Sequence, residues 1–177
     1  KRIKARKDDI AGASSKGVER SMRHLENGTV YQSHARFVSP HEVAVGSEVL
    51  TAERIFINVG GRAAVPDILG LDKIDYLTNS SMMNVDFLPQ HLLVLGGSYI
   101  GLEFAQMYRR FGSEVTIVEI GPRLVPREDE EVSQTIADFL GREGIEVRTN
   151  AKCLSLARAG DDIVMKLACE QGAPEAR

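Results

Sequence analysis

The sequence predicts an α/β protein that combines a parallel sheet with a smaller antiparallel one. Residues 92–119 read as a buried strand, a glycine-rich turn, a helix and a second buried strand, which is the order of a parallel β-α-β unit. Residues 29–61 show short runs of alternating polarity separated by tight turns, as antiparallel strands do. With 43% hydrophobic and 27% charged residues, the chain has the composition of an ordinary globular protein.

Composition excludes several classes of function. A formal net charge of −3 gives no electrostatic basis for a nucleic-acid partner. Every apolar run is far shorter than the roughly 18 residues that span a bilayer. The basic start of the sequence is not followed by the apolar core of a secretory signal. We therefore expect neither a nucleic-acid partner nor a membrane segment.

The cysteines and histidines give no sign of a metal centre or a redox pair. Cys153 and Cys169 are too far apart for a CxxC pair, and the histidines at positions 24, 34, 41 and 91 are scattered. We expect two half-buried thiols in a reducing compartment, which favours a cytoplasmic location. No metal ligands are predicted.

The first 26 residues form a charged helical pattern that starts without methionine, so we expect the chain to be part of a longer one. This helix has a sparse apolar stripe, made of Ile3, Ile10, Val18 and Met22. Its basic residues between positions 1 and 7 could bind an anion, although we favour a solvated helix face.

Antiparallel strands are predicted after this helix. Alternating polarity covers residues 29–38 and 42–46 and resumes at residue 48, with turn residues at 39–41 and 46–47. A more apolar strand at 54–59 ends this meander. A connecting segment then leads to Pro89, with one short helical stretch near residues 82–87.

The turn at residues 96–101 has the features of a pyrophosphate-binding loop. Gly96 allows a sharp turn after the strand, which covers Leu92 to Leu95. Gly97 and Ser98 keep the turn thin, so that backbone N–H groups and the positive end of the helix dipole can approach a phosphate. Gly101 is expected where the helix packs close to the strand, with Ala105 on the same face.

Glu119 follows the second strand, about 20 residues after the glycines, where an acidic side chain binds the ribose hydroxyls of a dinucleotide. A bare glycine motif is weak evidence, and Ser98 replaces its middle glycine. The prediction depends on the context of the motif, which has a strand before the turn, a helix after it and a carboxylate at the expected distance. The alternative is a glycine-rich turn that binds nothing.

The rest of the chain continues the α/β pattern. A helix is predicted at 128–142, a strand at 145–148 and a hairpin formed by residues 153–158 and 163–168. The core-facing residues predicted for the helix are Val132, Ile136, Phe139 and Leu140. The last six residues are expected to be frayed or truncated.

Several segments resemble the pyridine nucleotide-disulfide oxidoreductases, the flavoenzyme family that includes dihydrolipoamide dehydrogenase and mercuric reductase. Residues 96–105, GGSYIGLEFA, are similar to the family's GGGYIGxExA, and residues 115–119, VTIVE, to its VTxxE. Residues 57–66 take the place of the ATG-type turn that ends a flavin-domain strand. Residues 121–129 resemble the segment that follows in the family, and recognisable matches extend from about residue 30 to about residue 152.

The resemblance implies an FAD-dependent enzyme that passes hydride from NAD(P)H to flavin and on to a disulfide or another small-molecule acceptor. In that reading Gly60 lies on the FAD side. The implied residues of the nicotinamide dinucleotide site are Gly96, Gly97, Ser98, Tyr99, Ile100, Gly101, Glu103 and Glu119.

Individual roles follow from the same resemblance. Tyr99 matches a tyrosine that in some members lies over the flavin and moves aside for nicotinamide, and packing at the helix start is an equal alternative. Glu103 matches a glutamate that points toward the nicotinamide, whereas the alternative is a solvent-exposed helix face. Glu119 favours NAD over NADP because it would repel a 2′-phosphate, while Arg123 keeps NADP open.

Departures from the family pattern limit what this chain could do alone. Val59, Gly61 and Ser98 differ from the usual residues, and the sequence has no CxxxxC redox pair, no flavin-binding GxGxxG and no C-terminal dimer domain. We therefore assign no catalytic residue to this segment. The intact enzyme is expected to be a homodimer, as family members usually are.

These inferences predict a Rossmann-like NAD(P)-binding domain inserted in an FAD/NAD(P)-binding flavoprotein fold. Residues 1–66 would be part of the FAD-binding domain, including its antiparallel meander, residues 67–91 a connecting segment and residues 92–177 the NAD(P)-binding domain. The terminal electron acceptor is left open by the sequence. A module that binds NAD for regulation or sensing, without turnover, is the main alternative, and a domain that has kept the fold but lost binding is another.

Overall fold

A computed structural model describes residues 1–169 and 174–176 of the chain, which divides into two compact units, residues 1–62 and 63–177. The first unit contains a long helix and an antiparallel sheet, and the second contains a parallel sheet, a second antiparallel sheet and the shorter helices. Among the described residues, no helix has the length and apolar content to cross a bilayer.

The first unit begins with helix α1, Arg2–Arg23, and continues with strands β1, Ala35–Ser39, β2, Glu42–Val45, and β3, Glu48–Thr51. The strands pair as the antiparallel meander β1-β2-β3, with turns at the predicted positions. No residue of α1 is buried, so its predicted apolar stripe is exposed in the described chain.

The predicted strand at residues 54–59 is wrong, because the chain has neither helix nor strand there. Phe56 and Val59 are 89% and 87% exposed. An extended segment becomes a strand only when a neighbour accepts its backbone hydrogen bonds, and among the described residues nothing pairs with this one. The sequence pattern of residues 54–59 is therefore not sufficient to form a strand.

The second unit is built around a parallel sheet with the strand order β4-β5-β6, formed by His91–Leu95, Glu114–Val118 and Glu146–Arg148. Helices α3, Tyr99–Phe111, and α4, Glu130–Arg142, connect these parallel strands. One face of β5 packs with both helices in a core that includes Leu102, Ala105, Val115, Ile117, Leu140 and Ile145. The predicted strand–turn–helix–strand order is present.

The core face of α4 agrees with the prediction at two of its four residues. Leu140 is 3% exposed, as expected, but Val132 and Phe139 are 42% and 43% exposed. The inward side consists of Ser133, Ile136, Ala137 and Leu140, whose spacing of three and four residues follows one face of a helix. Ile136 and Leu140 are therefore confirmed as core-facing residues. Val132 and Phe139 are each one position away from this face, so their side chains point away from the core.

The opposite face of the parallel sheet packs with a second antiparallel sheet. Its strands are β7, Ala151–Ala159, β8, Asp162–Cys169, and β9, Glu175–Ala176. Val118 shares a core cluster there with residues that include Leu71, Leu156 and Met165. The hairpin is confirmed, whereas the predicted frayed tail is wrong at residues 175 and 176, which pair with β8. Residues 172, 173 and 177 of that tail lie outside the described residues.

The connecting segment packs on the second unit. It forms a 3₁₀ turn at Leu71–Lys73 and helix α2 at Asn79–Met82, earlier than the predicted helical stretch because Thr78 and Ser81 form a capping box. Leu69 pairs with Ser155 of β7, which anchors the segment. The domain assignments for residues 1–66, 67–91 and 92–177 stay a prediction.

Candidate dinucleotide-binding site

The glycine-rich turn joins β4 directly to α3 at the carboxyl edge of the parallel sheet. Gly96 has a φ of +100°, a conformation that favours glycine, and its N–H donates to the carbonyl oxygen of Val118 at 2.9 Å. Ser98 is the N-cap residue of α3, but its side chain makes no capping hydrogen bond. The first turn of the helix thus begins at the open end of the sheet.

The other two glycines are required by close packing. A Cβ atom at Gly101 would lie 2.5 Å from the carbonyl oxygen of Gly96 and 3.2 Å from Cγ1 of Val94. A Cβ atom at Gly97 would lie 2.5 Å from Cδ2 of Leu124, which is 1% exposed. Any larger residue at either position must displace backbone or core, so the turn keeps its shape only with glycine.

Glu119 lies beside this turn, held at both its backbone and its side chain. Its N–H donates to the carbonyl oxygen of Arg148 at 2.8 Å, and its own carbonyl oxygen accepts from Ala151 at 3.0 Å. The carboxylate accepts the N–H of Gly97 on Oε2 at 2.6 Å and the N–H of Gly121 on Oε1 at 2.7 Å. The structure therefore places Glu119, the residue predicted to bind the ribose, next to the glycine turn.

The Gly97 amide is consequently engaged by Glu119, which changes the expected set of phosphate donors. The N–H groups of residues 98–101 have no hydrogen-bond acceptor among residues 1–169 and 174–176. These amides form the start of α3, where the partial positive charge of the helix is concentrated. An anion at this edge of the sheet would meet residues 98–101 rather than Gly97.

Tyr99 and Glu103 share one face of α3, because residues four apart lie above one another on a helix. Tyr99 is 66% exposed, and Glu103 is exposed with no side-chain partner among the described residues. Ile100, in the same first turn, is 39% exposed. The second unit therefore does not bury Tyr99 at the helix start, and this face is open to a ligand.

The remaining predicted residues lie elsewhere. Gly60 belongs to the first unit, where it is exposed and has a φ of +68°. Arg123 donates through Nη2 to the carbonyl oxygen of Pro126 at 3.1 Å. Cys153 is a half-buried free thiol whose pKa is raised by burial, which makes it a poor nucleophile. The described residues contain no cluster of side chains that could hold a metal ion.

Two open cavities of the second unit are separate from the dinucleotide motif. One, of about 330 Å³, is lined by the start of α4, and the other, of about 230 Å³, by part of the segment 65–76. None of the residues from 96 to 121 lines either of them. The candidate site is instead an open edge, which suits an extended ligand lying across the sheet.

Sequence reasoning missed the part played by Gly121 and Leu124. In the sequence, Gly121 and Leu124 are only part of the segment 121–129 that resembles the family. In the structure, the Gly121 amide holds Glu119, and Leu124 closes the space next to Gly97. A glycine two residues after an acidic strand end was the available signal. Nothing in the local pattern indicated that Leu124 would return to the glycine turn, where the N–H of Val125 donates to the Gly97 carbonyl oxygen at 2.9 Å.

Comparison with known proteins decides the family. The family described as pyridine nucleotide-disulphide oxidoreductase matches residues 2–174. The chain belongs to this family. The resemblance seen in residues 96–105 and 115–119 is thereby confirmed, and FAD and NAD(P)H are the cofactors that pyridine nucleotide-disulphide oxidoreductases use.

Individual members of the family are similar at about a third of positions. Mercuric reductase from Bacillus cereus is 35% identical over 130 residues, which cover 73% of this chain and 21% of that protein. The probable pyridine nucleotide-disulfide oxidoreductase RclA of Escherichia coli (strain K12) is 34% identical over 151 residues, or 82% of this chain and 34% of the relative. The chain therefore spans about a fifth to a third of these relatives.

Solved structures agree with the fold. The HOCl-induced flavoprotein disulfide reductase RclA from Escherichia coli matches with a TM-score of 0.87 at 30% identity, covering 99% of this chain and 40% of that chain. The likeness includes both units, since nearly every residue is covered. The chain is thus an α/β segment with the architecture of a flavoprotein disulfide reductase.

Proposed function

We propose that this chain supplies the nicotinamide dinucleotide site of an FAD-dependent pyridine nucleotide oxidoreductase. The observation that carries the proposal is the meeting of the Glu119 carboxylate with the start of α3 at one edge of the parallel sheet. A bound nicotinamide would supply a hydride to flavin, which would reduce a disulfide or another small acceptor. The chain's own residues would bind and orient the dinucleotide.

The start of α3 fits a diphosphate. The N–H groups of residues 98–101 lack acceptors in the described chain, and the absence of a Cβ at Gly97 and Gly101 keeps the turn thin. The side chain of Ser98 makes no capping bond, so it leaves the helix end open to a ligand. An anion there gains several backbone hydrogen bonds together with the helix dipole.

Glu119 would bind the adenosine ribose. Each of its oxygens accepts one backbone amide, and a carboxylate oxygen has further lone pairs for a ribose hydroxyl. A 2′-phosphate in the same place would bring like charges together, so the site should prefer NADH to NADPH. The cation nearest in sequence, Arg123, is bonded to Pro126, which supports the same preference.

Further roles complete the proposal. Tyr99 and Glu103, on the open face of α3, would contact the nicotinamide end of the cofactor. Residues 1–66, with Gly60, would be part of an FAD-binding domain, residues 67–91 would be a connecting segment, and residues 92–177 would be the inserted Rossmann-like domain. The intact enzyme would act as a homodimer on a small-molecule redox acceptor.

Dinucleotide binding to the whole protein tests the proposal. Calorimetric titration should show NADH binding by the wild type, together with flavin absorbance in the purified protein. Glu119→Ala should weaken NADH binding by about tenfold to a hundredfold, since it removes charge-assisted hydrogen bonds. Glu128→Ala removes an exposed carboxylate outside the site and is the matched control.

Two results would count against it. A folded wild-type protein that binds neither NADH nor NADPH would exclude the dinucleotide site. A protein that binds NADH but contains no flavin would instead indicate a regulatory or sensing module.

A further inference from the structure

We infer that Gly121 is a positioning residue whose amide fixes the Glu119 carboxylate and thereby sets the discrimination between NADH and NADPH. This inference rests on the proposed dinucleotide site. It concerns a residue that would itself touch neither the diphosphate nor the nicotinamide. Its basis is the packing around the carboxylate.

The carboxylate is held from two sides by separate parts of the chain. The N–H of Gly97, in the turn before α3, donates to Oε2 at 2.6 Å, and the N–H of Gly121, in the loop after β5, donates to Oε1 at 2.7 Å. One hydrogen bond on each oxygen fixes the plane of the group as well as its position. Rotation of the side chain away from the ribose would break both bonds.

The backbone that presents the Gly121 amide is itself fixed. The Gly121 carbonyl oxygen accepts the N–H of Asn150 at 2.8 Å, and the backbone of Glu119 is bonded to Arg148 and Ala151. The loop from residue 119 to residue 121 is therefore tied to residues 148–151, where β6 ends and β7 begins. The donor cannot follow the carboxylate if the side chain moves.

The space around Gly121 shows that any side chain there would act on the carboxylate. A Cβ atom would lie 3.1 Å from Oε1 of Glu119, and the next nearest atoms, the Arg123 carbonyl oxygen and Glu119 Cδ, would be 3.8 Å away. The φ angle of Gly121 is outside the region that requires glycine. Alanine would therefore fit the backbone and push almost solely on Oε1.

Gly97 does not offer such a selective change. A Cβ there would lie 2.5 Å from the buried Leu124 side chain as well as 3.2 Å from Glu119 Oε2. Substitution would disturb the core and the turn together. Gly121 is thus the position at which the orientation of the carboxylate can be altered with the rest of the site intact.

Selectivity follows from this rigidity. A 2′-phosphate can be accommodated only if the carboxylate moves out of its way, since like charges in contact are strongly unfavourable. Two backbone amides that fix the carboxylate oppose that movement. A carboxylate displaced by a side chain at position 121 would bind the ribose hydroxyls less well and repel a 2′-phosphate less.

The test is the ratio of the NADPH and NADH dissociation constants, measured by calorimetry on the whole protein. Gly121→Ala and the larger Gly121→Val should lower this ratio in order of size, with about a threefold to tenfold fall for alanine. Gly141→Ala is the matched control, because a Cβ at Gly141 has no neighbour within 4 Å among the residues that the structure describes. Glu119→Asp keeps the charge but shortens the side chain, so it should lower the ratio as well.

The outcomes separate this inference from the proposed function. A lowered ratio in Gly121→Ala and Glu119→Asp, with Gly141→Ala unchanged, is the expected result. NADH binding by the wild type with an unchanged ratio in both Gly121 variants would overturn the positioning role alone. If the wild type bound no dinucleotide, the proposed site and this inference would both be wrong.

Discussion

At the scale of the residue, much of this chain's geometry depends on positions that cannot carry a side chain. Gly101 faces the Gly96 carbonyl oxygen, and Gly70 faces that of Leu156, where a Cβ would lie only 2.0 Å away. Gly70 also has a φ of +84°. Because the backbone segments lie so close at these glycines, the connecting segment packs directly on β7, and α3 packs directly on the end of β4.

Gly70→Ala should therefore destabilise the second unit far more than an ordinary glycine substitution. The expected loss is about 2–4 kcal/mol of unfolding free energy, from a left-handed backbone combined with a direct clash. Gly160→Ala is the control, since its φ is +68° but a Cβ there meets no atom of the described chain within 4 Å. Urea unfolding should show a loss of about 1 kcal/mol for that variant, and equal losses for both would disprove the clash.

At the scale of the element, a polar network connects the strands of the parallel sheet. The hydroxyl of Thr116 on β5 donates to Glu146 Oε2 on β6 at 2.9 Å, and the Nε2 atom of His91 on β4 lies 2.9 Å from the same hydroxyl. Because the Thr116 hydrogen is directed to Glu146, the His91 nitrogen is the donor. Thr116 is 2% exposed, so the network supplies hydrogen-bond partners to a buried hydroxyl.

Glu146 should give the fold an acid-dependent stability. The hydrogen bond from Arg148 Nε at 2.8 Å lowers the pKa of Glu146 below its ordinary value of 4.5, with a further contribution from Thr116 and partial opposition from burial. A carboxylate with a depressed folded-state pKa stabilises the fold above the unfolded value, and this contribution is lost as the pH falls through the folded pKa.

Urea unfolding measured as a function of pH checks this prediction. Glu146→Gln should unfold more easily than the wild type above pH 4.5 and show a smaller loss of stability below it. Glu128→Gln is the control, because the Glu128 side chain has no partner among the described residues. If the free energy of unfolding of Glu146→Gln depended on pH in the same way as that of the wild type, Glu146 would not be the source of the acid-dependent stability.

Much of the second unit could be predicted because its signals are local. The apolar run before Gly96 and the small residues at Gly101 and Ala105 identify a strand and the helix that packs on it. The strand at residues 54–59 could not be judged this way, since a strand depends on a neighbour that local sequence does not specify. The roles of Gly121 and Leu124 depend on a loop returning to the glycine turn, which no periodicity reports.

At the scale of the whole molecule, family membership and local geometry support different parts of the account. The family match covers residues 2–174, but the chain spans about a fifth of the length of the mercuric reductase and a third of that of RclA. The residues of the proposed site at the carboxyl edge of the parallel sheet, from Gly96 to Gly101 and Glu119, by contrast, lie in the second unit. Dinucleotide binding can therefore be proposed from the residues of this chain. The identity of the electron acceptor depends on the whole protein.

The central claim is that the diphosphate binds the start of α3 while Glu119 binds the ribose. A crystal structure of the whole protein with NADH tests it most directly. We expect diphosphate oxygens within hydrogen-bond distance of amides in residues 98–101, ribose hydroxyls on the Glu119 carboxylate and the Gly97 amide still bonded to Oε2. An ordered NADH whose ribose lies away from Glu119, or whose diphosphate avoids the start of α3, would contradict the account.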